Sequence, residues 1–121
     1  MANPFVHVEL NTTDVGKAKA FYGKLFNWKL EDVPMGTDTY TMIGVGDGTG
    51  GGIVKHPMPG ASSAWLAYVL VDDVAAATQK AKSLGATVVK DVTDVMGAGQ
   101  FSIIMDPTGA ALGLWKPNKQ A

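Results

Sequence analysis

Hydrophobic and polar positions alternate from Phe5 to Asn11. Val6, Val8 and Leu10 fall on one face, and His7, Glu9 and Asn11 fall on the other. A period of two predicts a strand with one buried face. Thr12, Thr13 and Asp14 then offer a helix N-cap, and Val15, Ala18, Tyr22, Leu25 and Phe26 recur at the spacing of a buried helical face. Phe21 and Tyr22 are expected in the helix–sheet core, and Asn27 can close the helix in a left-handed conformation. Three more strands follow: one opening at Trp28–Leu30, one from Thr39 to Val45, and one from Gly51 to Lys55. The last two are joined by the turn signal Gly46, Asp47, Gly48, Thr49. The order predicted for the first half is therefore βαβββ.

The stretch from His56 to Ser63 breaks this pattern. It separates two half-modules, about 4–56 and 64–118, with a linker at 57–63. The second half repeats the order. Trp65 to Val71 reads as a strand, and Asp72 or Asp73 caps a helix that buries Val74, Ala77, Ala81 and Leu84. Gly85 stands where a C-cap glycine belongs. Thr87–Val89 is a short strand, Met96–Gly99 a loop, and Phe101–Met105 another strand. Asp106, Pro107, Thr108 and Gly109 form a turn before a last strand from Ala111 to Lys116.

The halves also agree residue by residue. An offset of 59 pairs Asp14 with Asp73, Val15 with Val74, Ala18 with Ala77 and Leu25 with Leu84. An offset of 61 pairs Tyr40 with Phe101, Ile43 with Ile104, Gly48 with Gly109 and Gly52 with Gly113. A duplicated half-domain is expected to enclose a cleft between its copies, and the residues lining that cleft set the chemistry.

Composition narrows the choice. With 121 residues, 46% hydrophobic and 17% charged, the chain fits one globular domain with a real core. A net charge of −1 without a basic cluster leaves no footprint for nucleic acid. The absence of cysteine removes disulfides, thiolate nucleophiles and cysteine-based zinc sites. No apolar run reaches the roughly 20 residues needed to span a bilayer, and Met1-Ala2-Asn3-Pro4 lacks the marks of a signal peptide. A cytoplasmic protein without nucleic-acid or membrane partners is expected. The glycine-rich run from Gly44 to Gly52 joins two strands and lacks the lysine and helix N-terminus of a phosphate loop.

Taken in order, the motifs Asn11-Thr12-Thr13-Asp14-Val15, Phe21-Tyr22, Leu25-Phe26-Asn27-Trp28, Val71-Asp72-Asp73-Val74, Leu84-Gly85-Ala86, Asp106-Pro107-Thr108-Gly109 and Gly113-Leu114 cover essentially the whole chain. This arrangement resembles the vicinal oxygen chelate superfamily, which includes glyoxalase I (lactoylglutathione lyase), the fosfomycin- and bleomycin-resistance proteins and the extradiol dioxygenases. The resemblance implies an α+β fold: two tandem βαβββ modules forming a curved mixed sheet around a cleft. It also implies homodimers, because members often complete the cleft with a second subunit.

The metal-dependent members place one ligand on each of four strands, and the corresponding positions here are His7, Gly52, Leu66 and Gly113. Only His7 can bind a metal, so the expected cofactor is none. A substitute set of His7, Glu9 and His56 is disfavoured. The backbones of His7 and Glu9 are about 6.5–7 Å apart along a strand, and His56 lies in the linker.

Alternation sends His7, Glu9 and Asn11 into the expected cleft, with Leu66, Tyr68 and Leu70, then Met42, Gly52 and Val54, and Ile103, Met105, Gly113 and Trp115. This apolar, aromatic and methionine-lined surface carries few polar groups, which suits a small-molecule pocket. Tyr68 and Trp115 could stack on a planar ligand. Glu9 and His7 are the candidate catalytic residues, able to act as general base or acid; a packed, hydrogen-bonded structural pair is the competing reading. Asn11, Met42, Gly52, Leu66, Tyr68, Met105, Gly113 and Trp115 are the candidate ligand-binding residues. The leading expectation is a metal-independent, glyoxalase/bleomycin-resistance-like protein binding a small apolar or aromatic molecule. The alternatives are a lyase- or isomerase-type enzyme using Glu9 and His7 for proton transfer, and a metal-dependent relative with an atypical ligand set. An interaction module with a vestigial pocket is a further alternative.

Overall fold

The computed structural model describes residues 2–95 and 97–118. Met96, at the head of the expected loop Met96–Gly99, lies outside them. The elements run β1 (Phe5–Thr12), α1 (Val15–Leu25), β2 (Lys29–Met35), β3 (Asp38–Gly44), β4 (Gly51–Lys55), β5 (Ala64–Leu70), α2 (Val74–Ser83), β6 (Thr87–Val95), β7 (Gly99–Met105) and β8 (Ala111–Pro117). This is the α+β arrangement of two βαβββ modules.

In the first half, β2 pairs antiparallel with β3, β3 antiparallel with β4, and β4 parallel with β1. The second half repeats this plan: β6 with β7 and β7 with β8 antiparallel, β8 with β5 parallel. By packing, the chain divides into two compact units, one of Val6–Leu66 and one from Ala67 onward that also takes in the chain's start through Phe5. Hydrogen bonds explain that assignment. Leu70 N donates to the Pro4 carbonyl at 2.9 Å, and Asn3 Nδ2 donates to the Leu70 carbonyl at 2.8 Å.

Each helix starts on its expected aspartate. Asp14 accepts from the Lys17 amide at 2.9 Å and Asp73, rather than Asp72, from the Ala76 amide at 3.0 Å. A side-chain oxygen thus satisfies an amide that the helix leaves unbonded. Gly85 has φ +103°, as its C-cap role requires. Asn27 does not close α1 as expected: the cap is Phe26, in an extended conformation, and its amide bonds to the Tyr22 carbonyl.

The first-half core consists of Leu10, Ile43 and Ile53, with Val15, Ala18, Tyr22, Trp28, Leu30 and Val45 packed against it. Leu25 and Leu84, read as buried, are 55% and 69% exposed. Both stand at helix C-terminal ends, Leu25 as the last helical residue and Leu84 as the C-cap. Phe21, expected in the core, is also exposed at 58%.

Polar links also tie each helix to its sheet. In the first half, Lys19 Nζ lies 3.0 and 2.9 Å from the two Asp32 carboxylate oxygens, and Thr41 Oγ1 donates to Asp32 at 2.7 Å. The Lys19 bond first, and then that of Thr41, hold the Asp32 carboxyl below its ordinary range. The repeat puts Thr78 and Ser102 at the equivalents of Lys19 and Thr41, and these two buried hydroxyls meet at 2.8 Å.

Strand lengths account for the remaining differences. Trp28–Leu30 was expected only to open a strand, but β2 starts at Lys29 and runs to Met35, turning into β3 through Gly36 at φ +63°. Thr87–Val89 extends to Val95, with register shifts between Val88 and Lys90 and again between Lys90 and Thr93. Bulges of this kind break the period of two.

Candidate functional site

The first-half site begins with strand parity. Leu10, Thr41, Ile43 and Ile53 face α1, so His7, Glu9 and Asn11 on β1, and Tyr40 and Met42 on β3, share the opposite face. The register places Gly52 of β4 between Glu9 on one side and Met42 on the other. Tyr40 lies two residues before Met42.

From β3 to β1 is two strand spacings, about 9.5 Å. A side chain crossing that span must pass over β4, and it does so where β4 has no side chain. A Cβ added at Gly52 would overlap the Tyr40 ring at Cε1, Cζ and the hydroxyl. Gly52 is therefore the seat of a phenol.

Tyr40 thereby joins the two candidate catalytic residues. Its Oη lies 2.7 Å from His7 Nε2 and donates to Glu9 Oε2 at 2.8 Å. Asn11 Nδ2 donates to the other carboxylate oxygen at 3.3 Å. The His7 and Tyr40 rings lie 6.2 Å apart at 24°. The single phenol proton is given to Glu9, so Tyr40 must accept from His7 Nε2–H. Burial holds the His7 pKa below its ordinary 6.5, partly offset by the Glu9 carboxylate, and so favours the neutral ring.

Sequence reasoning missed Tyr40 as a site residue. The parity that placed Met42 on this face places Tyr40 there too, but Tyr40 was read only as the repeat partner of Phe101.

The second half fills the matching place differently. A Cβ at Gly113 would overlap the ring of Tyr68, its direct neighbour across the β5–β8 pair. Phe101 meets that ring edge-on at 6.2 Å and 73°. By the repeat, Tyr68 corresponds to Glu9 and Phe101 to Tyr40, so each glycine carries a tyrosine ring, delivered from β3 in one half and from β5 in the other. Ile103, Met105 and Trp115 share the Tyr68 face, opposite the buried Ser102, Ile104 and Leu114. Leu66 is buried within the first unit.

A divalent ion needs several donors converging on one point. His7, Gly52, Leu66 and Gly113 do not supply them: two lack side chains, and tyrosine rings cover both. Among the described residues, no three His, Cys, Asp or Glu side chains are grouped to hold a metal ion. His56 is engaged locally, with Nδ1 accepting from the Met58 amide at 3.1 Å. Among the described residues, these four positions do not fit a resident metal. No helix among the described residues is long and apolar enough to cross a membrane.

Comparison with known proteins agrees with this architecture. The family described as Glyoxalase/Bleomycin resistance protein/Dioxygenase superfamily matches residues 5–114. CFP32 of Mycobacterium tuberculosis, provisionally named a glyoxylase, is 41% identical over 118 residues, covering 93% of this chain and 45% of that protein. The anthracycline biosynthesis protein DnrV of Streptomyces peucetius is 29% identical over 127 residues, covering 89% of this chain and 45% of its own length. The chain thus spans about half the length of the curated relatives it matches. Among solved structures, the hypothetical protein BH1468 of Bacillus halodurans superposes with TM-score 0.72 at 17% identity, covering 100% of this chain and 99% of that one. Methylmalonyl-CoA epimerase of Mycobacterium tuberculosis does so with TM-score 0.70 at 15% identity, over 95% and 88%. These two likenesses concern the fold. Family match and sequence identity together establish that the chain belongs to the glyoxalase/bleomycin resistance protein/dioxygenase superfamily.

Proposed function

We propose that the chain is a metal-independent binder of a small, apolar or aromatic molecule, held on the first-half sheet face that carries His7, Glu9, Tyr40 and Met42. The observation that carries this reading is the His7–Tyr40–Glu9 hydrogen-bonded network beside the exposed thioether of Met42. An apolar surface with a few convergent polar groups is how small-molecule sites are usually built. The relative named for anthracycline biosynthesis is in keeping with an aromatic ligand. The test is the melting temperature of chelator-treated protein with a panel of planar aromatic compounds, doxorubicin among them. A ligand at 100 times its Kd stabilises by about 2.7 kcal/mol. Shifts that appear without metal support the proposal; shifts that require Zn²⁺ or Ni²⁺ contradict it.

The same network favours a second reading, an enzyme of lyase or isomerase type in which Glu9 and His7 move a proton. A carboxylate and a neutral imidazole joined through one phenol can relay a proton within hydrogen-bond reach. Glu9→Gln separates the readings. Turnover would be abolished with binding spared in an enzyme, whereas a sequestering protein would change at most in affinity. A homodimer belongs to the proposal as well. Phe21, Phe26 and Trp65 form an exposed aromatic surface with Tyr22 and Trp28, of the kind a second copy could cover. Light scattering at two concentrations tests it. A cytoplasmic location is in keeping with a cysteine-free chain.

A further inference from the structure

We infer that Tyr40, seated over Gly52, is the positioning residue of this site: its hydroxyl fixes which nitrogen of His7 holds the proton and how the Glu9 carboxylate is turned. The inference rests on the reading of His7 and Glu9 as the working pair.

The first observation is that one hydroxyl serves both residues. It lies 2.7 Å from His7 Nε2 and 2.8 Å from Glu9 Oε2. A phenol has one proton, so the two bonds are not independent. The bond given to the carboxylate leaves the oxygen to accept from the imidazole, which writes the Nε2–H tautomer into His7. Asn11 donates to the other Glu9 oxygen.

The second observation separates this role from a purely architectural one. At the repeat-equivalent place the second half has Phe101, a ring without a hydroxyl, while the ring over Gly113 is that of Tyr68. The hydroxyl is present where His7 and Glu9 stand on the neighbouring strand and absent where the repeat puts Leu66 and Tyr68 in their places. Gly52 is the other half of the device, because a side chain there would overlap the Tyr40 ring where it crosses β4.

The test is Tyr40→Phe, which keeps the ring and removes the hydroxyl, read out by ¹⁵N NMR of the His7 imidazole above pH 7. The wild type is expected to show the Nε2–H tautomer, and Tyr40→Phe a mixture of both tautomers. Doxorubicin affinity, measured by its fluorescence, is expected to fall about tenfold in the variant. If the His7 pattern is unchanged in folded Tyr40→Phe, the inference is overturned, whatever the affinity does. If the pattern changes but doxorubicin binds neither protein, the aromatic-ligand reading fails while the role of Tyr40 stands. Should Tyr40→Phe not fold, the wild type decides alone: a His7 ring carrying its proton on Nδ1 above pH 7 would overturn the inference.

Discussion

The ring of Tyr40 lies over Gly52, so that a large residue of β3 and the smallest possible residue of β4 occupy one place on the sheet face. Gly52→Ala is therefore expected to push the ring aside, break its bonds to His7 and Glu9, and destabilise by about 1–3 kcal/mol. Removing the ring as well should relieve much of this, so Gly52→Ala with Tyr40→Ala should cost less than the sum of the two single changes. Gly51→Ala supplies the contrast, because its Cβ would meet the Val8 backbone carbonyl, and Tyr40→Ala should not rescue it. Urea denaturation of the five variants measures all three expectations.

The depressed His7 pKa makes stability depend on pH. The folded state binds the His7 proton less readily than the unfolded chain, whose value is near the ordinary 6.5. The contribution is then fully present above about pH 6.5 and is lost as pH falls through the lower folded value. Wild-type urea midpoints should drop between pH 7.5 and pH 5.0, and His7→Gln should shrink that drop. An equal drop in both proteins would assign the dependence elsewhere.

The buried Thr78–Ser102 pair should respond asymmetrically. Thr78 Oγ1 already donates to the Val74 carbonyl at 2.6 Å, so Ser102 is the donor between the two hydroxyls. Thr78→Val strands the buried Ser102 hydroxyl, at a cost of about 1–3 kcal/mol. Ser102→Ala leaves the Thr78 bond to the helix intact and should cost less. Denaturant midpoints of the two variants check the order.

The two helix caps should behave as equivalents. Asp14→Ala and Asp73→Ala each remove an acceptor for one amide of the first turn, Lys17 in α1 and Ala76 in α2. Each is expected to cost about 1 kcal/mol. Asparagine at either position, measured by thermal melting, should recover most of that loss.

Much of this architecture was legible in the chain, for reasons particular residues make plain. Asp14 and Asp73 announced both helices because capping is a local event. The period of two on β1 put His7, Glu9 and Asn11 on one face, as found. β2 was cut short because Glu31, Asp32 and Pro34 on an edge strand carry no alternation. Only Thr87–Val89 of β6 is legible, because the register shifts that follow break the period of two. Leu25 and Leu84 kept helical spacing yet lie exposed, since spacing does not reveal where a helix ceases to be covered. At the site, Gly52 and Gly113 were recognised as lacking ligands. That they seat tyrosine rings depends on strand pairing, β3 beside β4 for Tyr40 and β5 beside β8 for Tyr68, which only the assembled sheet displays.

A small molecule bound as proposed must reach the His7–Tyr40–Glu9 face without metal. Met42 lies on that face and is exposed, so its methyl group is a natural reporter. The measurement is ¹³C-methyl methionine NMR of chelator-treated protein titrated with the planar aromatic panel. At least one compound is expected to shift the Met42 methyl and the His7 ring signals, and Tyr40→Phe to weaken the effect. Signals that stay still until Zn²⁺ or Ni²⁺ is added, or that move only at other methionines, would contradict the proposal.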